Sequence, residues 1–459
     1  MAIQSPIKPR REAETRITEA LAARATGVNF DALPPEIVEL SRQCLLDWLG
    51  VTIAGAGEPL IRILTAECAE EGGHPQASLI GQSGKVSVQQ AALVNGAASH
   101  ALDYDDVNLA IEGHPSVAVI PGLLALAEHR GSSGADFITA FTAGYETACR
   151  VGQLVSPGHY RRGFHATATA GSFGSAAACA RLMGLGPEAM ATAFGIAGTQ
   201  AAGLKSMFGT SCKPFHAGKA AQNGLLAATL AARGFDSRRD VLECAQGFAD
   251  TQSSDFKPEA ALAQPSGGYY MRANLFKYHA ACYLTHSTIE CCRRMRDKSQ
   301  VVPESLHAVV VRVDEALDRV CNIPSPQSGL EAKFSLRMTA AFALAGVDTA
   351  SIASYTEENC ADPALIALRD KVRVELVTGW PLSKSEVEIE LQDSSKLHDS
   401  DDSGIPAADL TAQGARLEGK FHALIDSIVG RERAVKVASL VADLDRLADL
   451  RELIALCQR

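Results

Sequence analysis

The 459-residue chain lacks an excess of positive charge. Its 43 Lys and Arg stand against 53 Asp and Glu, a net charge of −10, and no Lys/Arg-rich run reverses that locally. Nucleic acid is therefore not an expected partner. Long apolar runs are missing too. The longest uncharged stretches lie between His114 and Glu128, His165 and Arg181, and Glu188 and Lys205. All fall short of the about 18–20 residues of a membrane span. The basic start, MAIQSPIKPRREAETR, has no apolar segment behind it and does not read as a secretory signal. A soluble, cytoplasmic protein with no membrane partner is expected.

No Cys-x-x-Cys occurs among the twelve cysteines, which removes the usual zinc and thioredoxin-type signatures. Such scattered thiols behave as small buried apolar groups in a reducing compartment, a reading that fits all but Cys282. The chain has no dinucleotide fingerprint and no nucleophile elbow. GQSGKVS (81–87) lacks the spacing of a phosphate loop and the Ser/Thr after its lysine.

What remains is an ordinary globular composition, 47% apolar and 21% charged, in a chain too long for one core. Residues 15 to about 270 read as successive helices, with stretches near 86–102, 118–130, 135–153, 169–184, 187–203 and 216–233. GSFGSAAACA (171–180) and FGIAGTQAAG (194–203) are so small in side chain that they suit helices packed on all sides. The character changes after about 272. HAVVVRV (307–313), KVRVEL (371–376) and SEVEIEL (385–391) carry the strand signal, with helices at 281–295 and 334–345 between them. QDSSKLHDSDDSGIP (392–406) reads as an acidic, turn-rich end, and helix resumes from Asp409. The expected architecture is mainly α: a large all-helical domain (1–272 and 406–459) with a smaller inserted α+β lid domain (273–405).

Four polar clusters interrupt this apolar pattern. HALDYDDVNLAIEGHPS holds His100, Asp103, Asp105, Asp106, Glu112 and His114. On a helical reading His100 and Asp103 share a face, while Asp105, Asp106 and Glu112 taken singly suit a solvated loop. RRGFHATATAGSFGS carries His165, and MFGTSCKPFHAGKAA carries Lys213 and His216. FKYHAACYLTHSTIE carries Lys277, His279, Cys282 and His286. Lys213 precedes a proline, so it is expected at a junction ahead of a helix beginning near His216. Imidazoles, an orienting carboxylate and a lysine suit proton transfer next to a carboxylate, where a cation stabilises enolate charge. They also suit a metal site. A metal-dependent phosphohydrolase using His100, Asp103, His114 and His165 is the alternative from another class. The His-Asp doublet such enzymes use occurs only at His398-Asp399, in what reads as a loop.

ALDYDD with the following GHPS, then GFH with GSFGSAAA, KPFHAGKAAQNG and KYHAACYLTH, in this order, resemble the MmgE/PrpD family. GYETACRVG (144–152) and KFSL (333–336) extend the likeness over nearly the whole chain. The resemblance implies a helical domain with an α+β lid, a homodimer, and activity without cofactor or metal on a small di- or tricarboxylate. It implies a pocket lined by Asp103, His114, His165 and Lys213 as catalytic residues, with Cys282 and His286 binding substrate. The family includes 2-methylcitrate dehydratases, cis-aconitate decarboxylases and iminodisuccinate epimerases. Where the decarboxylases have a histidine in the fourth motif, this chain has Cys282. The leading expectation is thus a lyase of the 2-methylcitrate dehydratase type, with the epimerase and decarboxylase as alternatives.

Overall fold

The computed structural model describes residues 16–459. The first fifteen, and with them most of the basic N-terminal segment, lie outside the described residues. The fold is mainly α. Two compact units divide the chain: the part up to Asn274 together with Leu410–Arg459, and Leu275–Asp409 between them. No single helix among the described residues is long and apolar enough to cross a membrane.

In the helical unit, Ala166–Leu182 packs against Gly134–Val155, Pro115–Arg130 and Cys212–Ala232, and the last also lies along Val88–His100. Small side chains set these distances. A Cβ on Gly96 would stand 2.7 Å from the Cα of Gly218, and one on Gly144 would stand 2.6 Å from the Gly174 carbonyl oxygen. Neither position has room for a methyl group. The Gly96–Gly218 approach matters most, because it draws the helix ending at His100 onto the helix carrying Lys213 and His216.

The helix from Cys212 to Ala232 starts earlier than the sequence suggests, and Lys213 lies inside its first turn. Pro214 is tolerated there because the first-turn amides have no intrahelical acceptor to lose. Pro115–Arg130 and Ala166–Leu182 are capped by His114 and His165, both with extended backbone. At the opposite pole, Val88–His100 ends on His100. A two-stranded ribbon pairs β1 (Ala77–Ser78) with β2 (Lys85–Val86), a feature with no legible strand pattern.

The second unit holds a four-stranded sheet in the order β4-β3-β5-β6, with β3 (Leu306–Asp314), β4 (Val372–Val377), β5 (Lys384–Leu391) and β6 (Lys396–Asp402). β3 runs parallel to β4 and antiparallel to β5, and β5 is antiparallel to β6. Strand β6 corrects the reading of 392–406 as turn-rich, and it places His398-Asp399 in a strand rather than a loop. Period two explains how so acidic a stretch can be a strand. Asp399 and Asp401 fall on one face and both reach Arg294, at 2.8 Å each. That arginine comes from the helix His286–Ser299, which packs on β5 and β6.

Candidate active site

The loop between His100 and Pro115 gathers the ionisable groups. Its second half is closed by a bridge between Asn108 and Gly113. Asp105 is buried, 1% exposed, and serves two imidazoles. His100 Nδ1 lies 2.9 Å from Asp105 Oδ1, and His114 Nδ1 lies 2.8 Å from Asp105 Oδ2. The Asp106 carbonyl oxygen also lies 2.9 Å from His114 Nδ1. With two acceptors at that nitrogen, the His114 proton belongs on Nδ1, which leaves a lone pair on Nε2.

On the Nε2 side stands an ion pair. Asp103 Oδ1 is 3.9 Å from His114 Nε2 and 2.9 Å from Lys213 Nζ. Asp103 has a left-handed backbone, φ +50°, a conformation aspartate adopts more readily than most residues. Asp103 lies past the helix end at His100, so a turn rather than helical spacing brings its carboxylate to within 4.8 Å of that imidazole. Asp103 is also the open member of the cluster, with its side chain 41% exposed. Asp105 and Asp106, which suit solvent when taken singly, are buried. The carboxylate that fixes an imidazole tautomer is thus Asp105 rather than Asp103.

Four imidazoles form a row: the ring centres of His114 and His100 are 4.6 Å apart, His100 and His165 6.0 Å, and His165 and His216 5.4 Å. His165 and His216 face each other through their Nδ1 atoms at 3.2 Å, so one donates and the other accepts. Burial lowers His100 to about 4, against the pull of Asp105. His165 is lowered further, by burial and then by the neighbouring His100, His114 and Lys213. Burial also lowers His216. Lowered in this way, His100, His165 and His216 are neutral at pH 7. Burial favours the protonated form of Asp105, but the two imidazoles outweigh it and hold the carboxyl well below its usual range.

Its sequence neighbour behaves oppositely. Asp106 accepts a 2.5 Å hydrogen bond from Ser116 Oγ, while its Oδ1 finds no partner within the protein. Burial raises it to about 7, with Asp47 and Asp105 adding repulsion. Asp47 itself pairs with the buried Lys420 at 2.6 Å.

The ligating atoms of His100, Asp103, Asp105 and His114 lie within 4.8 Å of one another, a spacing a divalent ion can bridge. The present partners argue otherwise. Asp105 is already shared by two imidazoles, and Asp103 binds an ammonium whose positive charge would oppose a cation.

The structure thus brings together Asp103, His114, His165 and Lys213, and adds His100, Asp105 and His216. Two histidines flanking Asp105 at five and nine residues were the available signal for it. Cys282 and His286 lie in the other unit. His286 is buried, with Nε2 3.3 Å from the Ala281 carbonyl oxygen, and burial lowers it well below the ordinary histidine value, helped by His279 and Lys277.

The MmgE/PrpD N-terminal domain profile matches residues 19–261, and the MmgE/PrpD C-terminal domain profile matches 279–446. The chain belongs to the MmgE/PrpD family. Similar curated proteins include the cis-aconitate decarboxylase of Aspergillus terreus, 26% identical over 97% of this chain and 96% of that one. The mouse enzyme of the same name is 27% identical over 95% and 91%, and the human one 26% over 94% and 92%.

Proposed function

We propose that this MmgE/PrpD protein is a lyase that removes a proton α to a carboxylate of a small di- or tricarboxylate, in the manner of a 2-methylcitrate dehydratase. One observation carries the reading: the Nε2 lone pair of His114, its tautomer set by Asp105, lies on the same side as the Lys213–Asp103 pair. A substrate carboxylate entering beside Asp103 competes for the Lys213 ammonium. The negative charge that develops as the α proton leaves then falls next to that ammonium. His114 Nε2 takes the proton, and the imidazolium so formed returns it to the hydroxyl on the neighbouring carbon, which departs as water. His165, held neutral by burial, lines the site beside it. His114, His165 and Lys213 also stand at helix N-termini, where anions are favoured. Cys282 and His286 belong to the expected substrate-binding set, and a homodimer is the expected assembly, which light scattering would check.

A second reading, decarboxylation of cis-aconitate, is supported by the names of the relatives and opposed by Cys282. It would use the same cation to stabilise the carbanion left by carbon dioxide and the same imidazoles to protonate it. Incubation in deuterated water with 2-methylcitrate, citrate, cis-aconitate and iminodisuccinate separates these chemistries. A new alkene with loss of water supports the dehydratase. Release of carbon dioxide from cis-aconitate supports the decarboxylase, and deuterium uptake without elimination supports an epimerase. Saturable binding with neither exchange nor turnover would leave a carboxylate-binding protein. Activity lost to chelators, together with stoichiometric metal, would revive the phosphohydrolase.

A further inference from the structure

A buried lysine stands behind the loop of the candidate site. Lys420 lies on the helix Leu410–Val429, which packs along Pro35–Gly55, and both Lys420 and Asp47 of the second helix are buried. Its Nζ donates to Asp47 Oδ1 at 2.6 Å and to the Tyr104 carbonyl oxygen at 2.7 Å. The same ammonium sits 3.9 Å from the centre of the Tyr104 ring, and that residue is itself buried. One cation thus grips both the backbone and the side chain of a single loop residue.

Joining two helices does not call for this arrangement. Apolar side chains of similar volume often do that as well, because a buried ion pair must recover the desolvation of both charges. What the lysine adds is a fixed direction at Tyr104. Asp103, before it, has the left-handed backbone and reaches Lys213, while Asp105, after it, is turned inward to His100 and His114. The chain changes its facing at Tyr104, so the carbonyl that Lys420 holds lies between the two carboxylates of the site.

We propose that Lys420 is a positioning residue for the lyase reaction. It acts through the Tyr104 carbonyl, keeping Asp105 against His114 and Asp103 against Lys213, and the pair with Asp47 balances its charge. Its effect on turnover rests on the catalytic reading of Asp105 and Lys213, whereas the pinning of the loop does not.

Three variants of the full-length protein separate the Tyr104 bond from the charge pair. Lys420→Met removes both and leaves Asp47 buried and uncompensated, which costs stability and can prevent folding. Lys420→Met combined with Asp47→Asn removes both and leaves no charge behind. Asp47→Asn alone removes the pair and keeps the donor to Tyr104. On the substrate found in the deuterium panel, kcat per folded molecule should fall about 10²-fold in the double variant, with KM changed less, as for a displaced catalytic group. Asp47→Asn should turn over near the wild-type rate although its melting temperature falls. Peptides from 101–113 should exchange amide hydrogens about tenfold faster in the double variant than in wild type or Asp47→Asn, with peptides from Gly134–Val155 unchanged. A lysine with a purely structural role would instead make kcat follow melting temperature across the three. Wild-type turnover in the double variant, lost turnover in Asp47→Asn, or unchanged exchange in 101–113 would each overturn the proposal. Should no Lys420→Met protein fold, the turnover of Asp47→Asn still decides. If the wild type turns over nothing in the panel, the lyase reading fails instead, and exchange in 101–113 decides whether Lys420 pins the loop.

Discussion

The helical unit and the α+β unit each bury a histidine against a carboxylate, and the two pairs differ in what they leave over. In the α+β unit, His279 bonds Glu290 through Nε2 and Thr349 through Nδ1, at 2.8 Å each. Both ring nitrogens are used, and the ring is a cross-link. In the helical unit, His100 and His114 share Asp105 through their Nδ1 atoms. His100 Nε2 makes no hydrogen bond within the protein, and His114 Nε2 stands 3.9 Å from Asp103. Proton transfer needs an imidazole with one nitrogen fixed and the other available. By that criterion the first cluster holds structure and the second can do chemistry.

The comparison breaks most visibly at Asp105. Asp105→Asn keeps the shape but removes the charge that both imidazoles share and leaves only the Asp106 carbonyl to hold the Nδ1–H tautomer of His114, and turnover should fall by roughly 10³–10⁴-fold, as for other triad-type carboxylates. A kcat near wild type, measured on the substrate found in the deuterium panel, would return Asp105 to a structural role. Glu290→Gln should do the reverse. It weakens a buried cross-link and should cost about 1–3 kcal/mol in denaturant unfolding, with exchange per folded molecule unchanged.

Gly218→Ala sharpens the geometric side. The added Cβ meets backbone of the helix ending at His100, at 3.0 Å from the Ala97 nitrogen and closer still to the Leu93 carbonyl. Neither atom can move alone, so the expected loss is about 1–3 kcal/mol, with activity reduced because Lys213 and His100 are pushed apart. An unchanged melting temperature would mean the helix contact is looser than described.

The smallest effect concerns Asp106. Its folded-state value near 7 lies above the ordinary aspartate value, so the folded chain holds the extra proton across that interval. The resulting stability is full below about pH 4 and is lost as pH rises through about 7. Asp106→Asn removes this titration. Its melting temperature relative to wild type should rise by a few degrees between about pH 5 and pH 8, as followed by calorimetry. A constant offset would show that Asp106 does not titrate there.

Much of this was legible in the chain. The small-residue helices, strands β3, β4 and β5 and the four polar clusters follow from local patterns, which are short-range. What was not legible depends on tertiary pairing. Asp105 and Asp106 are adjacent in sequence and alike in type, yet one is lowered by two imidazoles and the other raised by burial next to Asp47. No local rule separates them. Strand β6 was hidden because its acids look solvated until Arg294 is placed opposite. His216 reads as a residue at a helix start, and only the 3.2 Å approach to His165 brings it into the row.

Lys213→Ala tests the central claim most directly. The claim is that a fixed ammonium beside His114 stabilises charge developing next to a carboxylate, so the variant should stay folded, with a melting temperature close to wild type. Its rate of α-proton exchange or turnover should fall by about 10²–10³-fold, the range for loss of one donor to a developing anion. Lys213→Arg should recover only part of that, because a planar guanidinium does not reproduce a compact ammonium. A well-folded Lys213→Ala protein exchanging the α proton at the wild-type rate would contradict the account.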